Sequence, residues 1–241
     1  MIYFISDIHL GFFDRETERK REDLLILLLN RIASNAEKIY LLGDIFDYWF
    51  DYKQVIPRNF FRVLAKLSEL RRNGIVIEFL KGNHDFGHFN FFEEELGITV
   101  HENDIEREHH GKRFYLSHGD GKNPNDRGYL LLKKVLRNRW SLKLYLWLHP
   151  DFGIKLASGS SKQSRTYTDS KENMDDEPMR DFAFRKIDDG FDYVIMGHRH
   201  KLETTKYKTG EYINLGDWFK VPHYGVFDGK EFLLKEVSTT E

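Results

Sequence analysis

The sequence predicts an α/β fold, and three observations support this prediction. Short apolar runs rich in β-branched and aromatic residues alternate with longer segments of helical periodicity through the first two thirds of the chain. The first run, Ile2 to Ser6, precedes a segment from Arg15 to Ser34 whose leucines recur at helical spacing opposite a charged face. The length of 241 residues suits one hydrophobic core. We therefore expect a single domain over residues 1–241, with a sheet built from crossover units.

The remaining elements are predicted in the same way, in chain order. A second helix is expected from Pro57 to Arg72, because proline suits the first turn of a helix and Asn73 with Gly74 suits its end. Four more strands are predicted at Ile39–Leu42, Ile75–Leu80, Phe114–Ser117 and Tyr193–Met196. A terminal antiparallel set, with Gly229 in its last turn, is predicted from Tyr212–Leu215, Tyr224–Phe227 and Phe232–Val237.

The composition excludes several classes of protein and of site. The chain has no cysteine, so disulfides, thiolate zinc sites and cysteine nucleophiles are excluded, and any metal must be held by nitrogen and oxygen. Its 37 basic and 39 acidic residues nearly balance, which gives no global reason to expect nucleic acid as a partner. The longest aliphatic run, Leu24 to Leu29, is far too short to span a bilayer. With no signal-peptide pattern in the sequence, a cytoplasmic location is expected.

A helical, basic segment interrupts the strands between about residues 122 and 188, and we predict that it forms a lid inserted in the domain. From Lys122 to Arg165 this segment carries ten basic and two acidic residues, a net charge of +8. Blocks of apolar residues and cations alternate between Tyr129 and Leu148. The pattern indicates a basic amphipathic surface that can lie in an anionic membrane interface, although a solvated helical face accounts for the charges as well.

Polar motifs follow five of the predicted strands and supply the residues that could carry chemistry. Seven nitrogen or oxygen donors stand in them: Asp7, His9, Asp44, Asn83, His118, His198 and His200. Because the carboxyl ends of the strands in an open α/β sheet share one crevice, we expect these side chains to converge. One divalent ion takes about four to six ligands, so seven donors, with Asp44 as a bridge, suit two ions about 3.5–4 Å apart.

The charge of such a site indicates its chemistry. Two divalent ions would exceed the negative charge of Asp7 and Asp44, so the ions would stay Lewis acidic. Hydrolysis of a phosphate ester or anhydride is the expected reaction. His84 is predicted to stabilise the transition state or protonate the leaving group, with Asp85 accepting a hydrogen bond from its ring. Asp120 is a candidate for a supporting role beside the site.

The five motifs from Asp7 to His200 resemble, in order, those of the calcineurin-like metallophosphoesterase family. The resemblance implies a four-layer β-sandwich flanked by helices, with two bound divalent ions. Mn(II) is the usual metal of the family, with Fe or Zn as alternatives. The ligand sets that the resemblance implies are Asp7, His9, Asp44 and His200 for one ion, and Asp44, Asn83, His118 and His198 for the other.

Within the family, residues Leu41 to Asp47, Trp49 and the helical insert are similar to the branch that hydrolyses UDP-2,3-diacylglucosamine in lipid A synthesis. This similarity implies a nucleotide-lipid substrate, cleaved to UMP and 2,3-diacylglucosamine 1-phosphate. It also implies peripheral association with the cytoplasmic face of the inner membrane, with no nucleic acid and no obligate protein partner. The substrate contacts expected are Asn83, His84, Asp126, Arg165 and His198.

Two other functions stay open at this point. His84 stands where the best-known members of that branch have arginine, and it restores the pattern of the wider family. Another calcineurin-like phosphodiesterase or phosphatase, acting on a nucleotide or a nucleic acid, is therefore an alternative. A non-catalytic metal-binding scaffold is the second alternative, although scaffolds of this family lose ligands and this chain keeps all seven donors.

Overall fold

Two β-sheets packed face to face form the centre of the molecule. We describe it from a computed structural model, in which the described residues are 1–122, 127–157, 159 and 177–238. The strands are β1 (Ile2–Ile5), β2 (Lys38–Leu41), β3 (Val76–Leu80), β4 (Thr99–His101), β5 (Ile105–His109), β6 (Lys112–Leu116), β7 (Tyr193–Met196), β8 (Leu202–Tyr207), β9 (Gly210–Leu215), β10 (His223–Phe227) and β11 (Phe232–Glu236). The first sheet has the order β11-β10-β1-β2-β3-β4, and the second has the order β5-β6-β7-β9-β8.

Seven helices accompany the sheets in the described ranges: α1 (Arg15–Ile32), α2 (Phe61–Arg72), α3 (Phe91–Glu94), α4 (Arg127–Leu136), α5 (Arg139–Tyr145), α6 (150–157) and α7 (Glu177–Asp188). Asp14 caps α1, since its carboxylate accepts the backbone N–H groups of Glu16 and Thr17 at 3.0 and 3.1 Å. A 3-10 turn, Arg58–Phe60, leads into α2. None of the helices in the described part of the chain is both long and apolar enough to cross a membrane.

The first sheet is buried on both faces. On β1, Tyr3 and Ile5 belong to the cluster that also contains the apolar residues of α1 and α2. Ile2 and Phe4, which alternate with them, belong to the cluster between the two sheets. The alternation of side chains along one strand therefore joins a helical layer to the centre of the sandwich.

The second sheet repeats this arrangement with α7 on its outer face. Ile195 of β7 belongs to the cluster between the sheets, whereas its neighbour Val194 packs in a cluster with Met179 and Ala183 of α7. The layers thus run helix, sheet, sheet, helix, which confirms the predicted four-layer fold. Residues 177–188, at the C-terminal end of the predicted lid segment, form α7. The lid itself stays a prediction.

The predicted terminal antiparallel set is wrong in one strand. β9 lies in the second sheet and pairs in parallel with β7, whereas β10 and β11 form an antiparallel hairpin in the first sheet. Tyr212 and Ile213 bury opposite faces of β9, as expected of an inner strand. Three strands, β4, β5 and β8, have no apolar run to mark them, because β4 has three residues and the other two consist mainly of polar and charged residues.

Candidate metal centre

The strand ends of the two sheets bring the predicted donors together. Asp7, Asp44 and Asn83 follow β1, β2 and β3 of the first sheet, and His118 and His198 follow β6 and β7 of the second. The Nε2 atom of His118 lies 3.0 Å from Oδ1 of Asn83. The backbone N–H of His198 donates to the Asp7 carboxylate at 3.0 Å. Donors separated by more than 100 residues in the sequence are therefore in contact across the two sheets.

His9 and His200 complete the set of seven. Their Nε2 atoms face each other at 3.1 Å, and they lie 3.7 and 3.4 Å from Oδ1 of Asp7. Burial alone would raise the pKa of Asp7, but hydrogen bonds with His200 and His9 hold it below its usual range. Asp7 is thus a buried carboxylate that stays charged beside two imidazoles.

Three groups of donor atoms in the described residues could each hold a cation. Within each group the atoms lie no more than 4.8 Å apart: Asp7, His9 and His200; His9, Asp44 and His84; Asp44, His118 and His198. The first and third groups are parts of the two ligand sets that the family resemblance implies. The second group adds His84, which is predicted to act in catalysis instead of metal binding.

Five of the seven donors have a backbone conformation that is uncommon outside glycine. They have φ between 51° and 69°, and they are Asp7, His9, Asp44, His198 and His200. A residue held in this left-handed region costs about 1–3 kcal/mol and persists only where the surroundings fix it. Such a concentration at one place indicates that the fold maintains the arrangement of these side chains for a function.

Two glycines allow the backbone to approach the site carboxylates. A Cβ atom on Gly197 would lie 2.1 Å from Oδ2 of Asp7, and one on Gly82 would lie 2.1 Å from Oδ1 of Asp44. Real Cβ atoms do not come so close to another heavy atom. Glycine at these two positions is therefore required for the observed placement of both carboxylates.

We expect Gly197→Ala to destabilise the fold by about 1–3 kcal/mol, because overpacking a buried site forces its neighbours to move. The displaced group would be the Asp7 carboxylate, so metal content should fall as well. Urea unfolding and metal analysis measure both effects. Gly128→Ala is the matched control, since a Cβ there meets nothing within 4 Å. Equal stability of Gly197→Ala and the wild type would contradict the close approach.

The carboxylate of Asp44 shows how well the site fits a cation. Its Oδ1 accepts the backbone N–H of His84 at 2.8 Å, whereas its Oδ2 is buried and makes no well-aligned hydrogen bond in the described residues. That oxygen lies 3.3 Å from Nε2 of His118 and 3.7 Å from Nε2 of His9. A buried carboxylate is costly unless a cation compensates it, and in the protein alone the His118 ring supplies that charge. The residues present therefore fit a divalent ion, and their nitrogen and oxygen donors suit Mn, Fe or Zn.

A backbone carbonyl sets the orientation of the His118 ring. Nδ1 of His118 lies 2.8 Å from the carbonyl oxygen of Leu42, which can only accept, so Nδ1 carries the hydrogen. Nε2 is thereby directed to Asp44 and Asn83. Burial would lower the pKa of His118, but the adjacent Asp44 carboxylate raises it to about 10. In the protein alone this nitrogen holds a proton at the position where it would bind an ion.

Asp47, and not Asp85, is the carboxylate next to the His84 ring. Nδ1 of His84 lies 3.7 Å from Oδ1 of Asp47. The carboxylate of Asp85 instead accepts four backbone N–H groups, those of Gly82, Asp44, Ile45 and Phe46. Burial and the nearby Asp44 raise the pKa of Asp85 to about 7. Asp85 thus ties two loops together, and a bond from its carboxylate to the His84 ring stays a prediction. The spacing from Asp44 to Asp47 was the sequence signal for the carboxylate beside His84.

Asp120 connects the site to the first helix of the predicted lid. Its Oδ2 lies 2.7 Å from Nζ of Lys133 and 3.0 Å from Nη2 of Arg137. The same Arg137 nitrogen donates to the carbonyl oxygen of Gly82 at 2.8 Å. Burial would raise the pKa of Asp120, but Arg137 and its neighbours hold it below the usual range. Asp126 and Arg165, predicted to contact substrate, lie outside the described residues.

A cavity of about 630 Å³ lies beside His118, between the predicted lid and the ends of β3 and β4. Five cationic side chains line it, Lys81, Lys122, Lys133, Lys134 and Arg137, against three carboxylates, Glu102, Asp104 and Asp120. Apolar side chains, among them Phe86, Leu130 and Leu142, complete the wall. The cavity thus combines an excess of positive charge with apolar surface next to the donor cluster.

Comparison with known proteins identifies the family. A family model described as Calcineurin-like phosphoesterase matches residues 1–202. A UDP-2,3-diacylglucosamine hydrolase from Porphyromonas gingivalis is 34% identical over 100% of this chain and 98% of its own length. One from Pseudomonas fluorescens is 32% identical over 91% of this chain and 88% of its own. A solved archaeal phosphodiesterase aligns over 98% of both chains with 14% identity and a TM-score of 0.47. With the family model spanning the whole donor cluster, this chain belongs to the calcineurin-like phosphoesterase family.

Proposed function

We propose that this protein hydrolyses the pyrophosphate bond of UDP-2,3-diacylglucosamine, releasing UMP and 2,3-diacylglucosamine 1-phosphate. The observation that carries the proposal is the convergence of seven metal-type donors, Asp44 among them, beside a cavity with excess positive charge. The names of the relatives from P. gingivalis and P. fluorescens support the choice of substrate. A pyrophosphate is an anion that both the donor cluster, once it holds cations, and the cavity would attract.

The seven donors are proposed to hold two divalent ions, with Mn(II) as the first choice of metal. The proposed sets are Asp7, His9, Asp44 and His200 for one ion, and Asp44, Asn83, His118 and His198 for the other. Bound divalent ions supply the Lewis acidity that activates water and offsets charge on a phosphoryl group. The chain itself contributes the fixed orientation of each donor, as the bond from His118 to the Leu42 carbonyl illustrates.

The other polar groups have proposed roles toward the substrate. His84 is proposed to protonate the leaving oxygen or to stabilise the transition state, with Asp47 beside its ring. Asn83 and His198 are proposed to contact the phosphate as well as an ion. Asp85 is proposed to act on catalysis only through the loops that it ties together. Asp126 and Arg165 are proposed substrate contacts.

A turnover assay tests the proposed function. UDP-2,3-diacylglucosamine, UDP-glucose, a bis-aryl phosphate and single-stranded DNA are compared, each with Mn(II) and after chelation with EDTA. We expect Mn-dependent release of UMP with strong preference for the lipid nucleotide. Turnover of the aryl ester alone would favour another phosphoesterase, and turnover of the DNA would favour a nuclease. No turnover of any substrate with metal bound would favour a scaffold.

The exposed face of α4 to α6 supports a further part of the proposal, association with the cytoplasmic face of the inner membrane. Large apolar side chains stand exposed there, including Trp147 at 90% and Trp140 at 73% exposure. Lys134 lies on α4 and Lys143 lies with Trp140 on α5, whereas Trp147 stands in the turn that follows α5. Exposed aromatic and aliphatic groups mixed with lysines favour the interface of an anionic bilayer.

We expect the protein to float with vesicles of anionic lipid at low salt and to be released by high salt, because lysine attraction is screened. Trp140→Ser with Trp147→Ser should abolish flotation, since both rings would lose their place in the interface. Phe61→Ser is the matched control, because Phe61 is 66% exposed and belongs to α2 instead of the predicted lid. Absence of wild-type flotation at low salt would contradict the membrane proposal.

A further inference from the structure

Three phenylalanines and one arginine cover the His9 and His200 side of the donor cluster. Phe219, in the loop between β9 and β10, contacts Phe12 and Phe13 with ring centroids 5.5 and 5.6 Å apart. The guanidinium of Arg21 lies 5.4 Å from the centroid of the Phe219 ring. This aromatic group has no part in the function proposed above, although it touches two of the proposed ligands.

The Phe219 ring lies against both imidazoles. It stacks on His9 with centroids 5.5 Å apart and an interplanar angle of 25°, and it lies 5.8 Å from the ring of His200. The two imidazoles are themselves 5.0 Å apart at an angle of 73°. Contact with one flat ring therefore constrains the tilt of both proposed ligands at once.

His9 needs such a constraint, because its hydrogen bonds involve only Nε2 and none in the described residues fixes the Nδ1 side of the ring. In a metal-binding imidazole, the N–H group of the nitrogen that does not bind the metal ordinarily donates a hydrogen bond to a carbonyl or a carboxylate. His118 makes such a bond to the carbonyl oxygen of Leu42. Nδ1 of His9 is buried and has no hydrogen-bond partner in the described residues, and Oδ1 of Asp47 stays 3.6 Å away. The rings of His84 and His200 meet His9 edge-on, and the stack on Phe219 is the contact that lies along the plane of its ring.

Arg21 holds the backbone of the same ligand. Its guanidinium donates to the carbonyl oxygens of Ile8 and His9, the latter at 3.2 Å, and pairs with Glu18 at 3.0 Å. These hydrogen bonds stabilise the turn in which Asp7 and His9 both adopt positive φ. One side chain thus fixes the strained turn and supports the ring that covers it.

We propose that Phe219 and Arg21 are positioning residues for the ion site formed by Asp7, His9, Asp44 and His200. The proposal rests on the ligand sets given under the proposed function, and not on the identity of the substrate. It predicts that loss of the flat ring weakens one of two ion sites and leaves the other, at Asn83, His118 and His198, unchanged.

Mn(II) binding to the metal-depleted protein tests the proposal, by calorimetric titration and by metal analysis after desalting. The wild type should bind two ions per chain. Phe219→Leu, which keeps apolar volume but removes the flat ring, should bind one ion normally and the second about 10- to 100-fold more weakly. Phe219→Tyr should restore the second site. Electron paramagnetic resonance should show a coupled Mn pair in the wild type and Phe219→Tyr, and an isolated ion in Phe219→Leu.

Two further variants separate positioning from general damage. Phe184→Leu removes a ring that stacks on Tyr207, and it should retain both ions. Arg21→Met should weaken the same site as Phe219→Leu, with a circular dichroism spectrum like that of the wild type. Two tight ions in Phe219→Leu, or one in Phe184→Leu, would overturn the inference. If the wild type itself binds no pair of ions, the ligand proposal fails instead.

Discussion

Replacement of His118 by alanine is expected to lower kcat/KM for the lipid nucleotide by about 10³-fold or more, equivalent to about 4 kcal/mol of transition-state stabilisation. The ring is buried with its Nε2 directed at Asp44 and Asn83, so alanine removes a proposed ligand that no neighbouring side chain replaces. The fold should survive, because the layers are held by the apolar clusters on both sides of each sheet.

His149→Ala supplies the matched control for this variant. His149 is exposed and its Nδ1 pairs weakly with Asp151 at 3.9 Å, far from any proposed ligand role. UMP release and Mn(II) content are measured for both variants, with circular dichroism as the check on folding. A folded His118→Ala protein with wild-type turnover would refute the ligand assignment.

Asp44→Asn is expected to abolish binding of both ions and all turnover, because Asp44 stands in both proposed ligand sets. The metal-depleted variant should be less stable than the metal-depleted wild type. Its neutral amide can still accept the N–H of His84, but the buried His118 ring loses the carboxylate that holds its pKa high. Asp85, which lies against the Asp44 backbone, would also lose a nearby negative charge.

Thermal unfolding with Mn(II) and with EDTA separates these effects. At an ion concentration 100 times the dissociation constant, a single site gains about 2.7 kcal/mol of stability. The wild type should show at least this gain, and Asp44→Asn should show none. Asp151→Asn, an exposed carboxylate on α6, should behave as the wild type. A melting temperature of Asp44→Asn that rises with Mn(II) as the wild type does would contradict the bridging role.

The elements with apolar periodicity could be predicted from the sequence, and those without it could not. β7 has the predicted bounds, Tyr193–Met196, because its residues are buried on alternate sides of a central strand. β8, Leu202–Tyr207, alternates exposed with half-buried residues at the edge of the second sheet, so it lacks an apolar run. The partner of β9 could not be predicted either, since pairing depends on which sheet buries its two faces.

The donors of the site could be predicted because each stands at the end of an apolar strand. Their supports could not, because these depend on contacts between distant segments. Asp85 follows His84 in the chain, yet its carboxylate bonds the loop after β2. Phe219 and Arg21 are 198 positions apart in the sequence, and neither stands in a motif. Their contact exists only because α1 and the loop after β9 meet over His9.

The division of the donors between the two sheets affects how the protein matures. The first sheet contributes Asp7, His9, Asp44 and Asn83, all within the first 83 residues, and the second contributes the three histidines from His118 onward. During synthesis the N-terminal half of the chain leaves the ribosome first, with only some of the proposed ligands. An ion can therefore bind tightly only after the two sheets have packed together. A bound pair of ions would then link the two sheets. When metal is scarce, newly made chains should therefore be more susceptible to proteolysis.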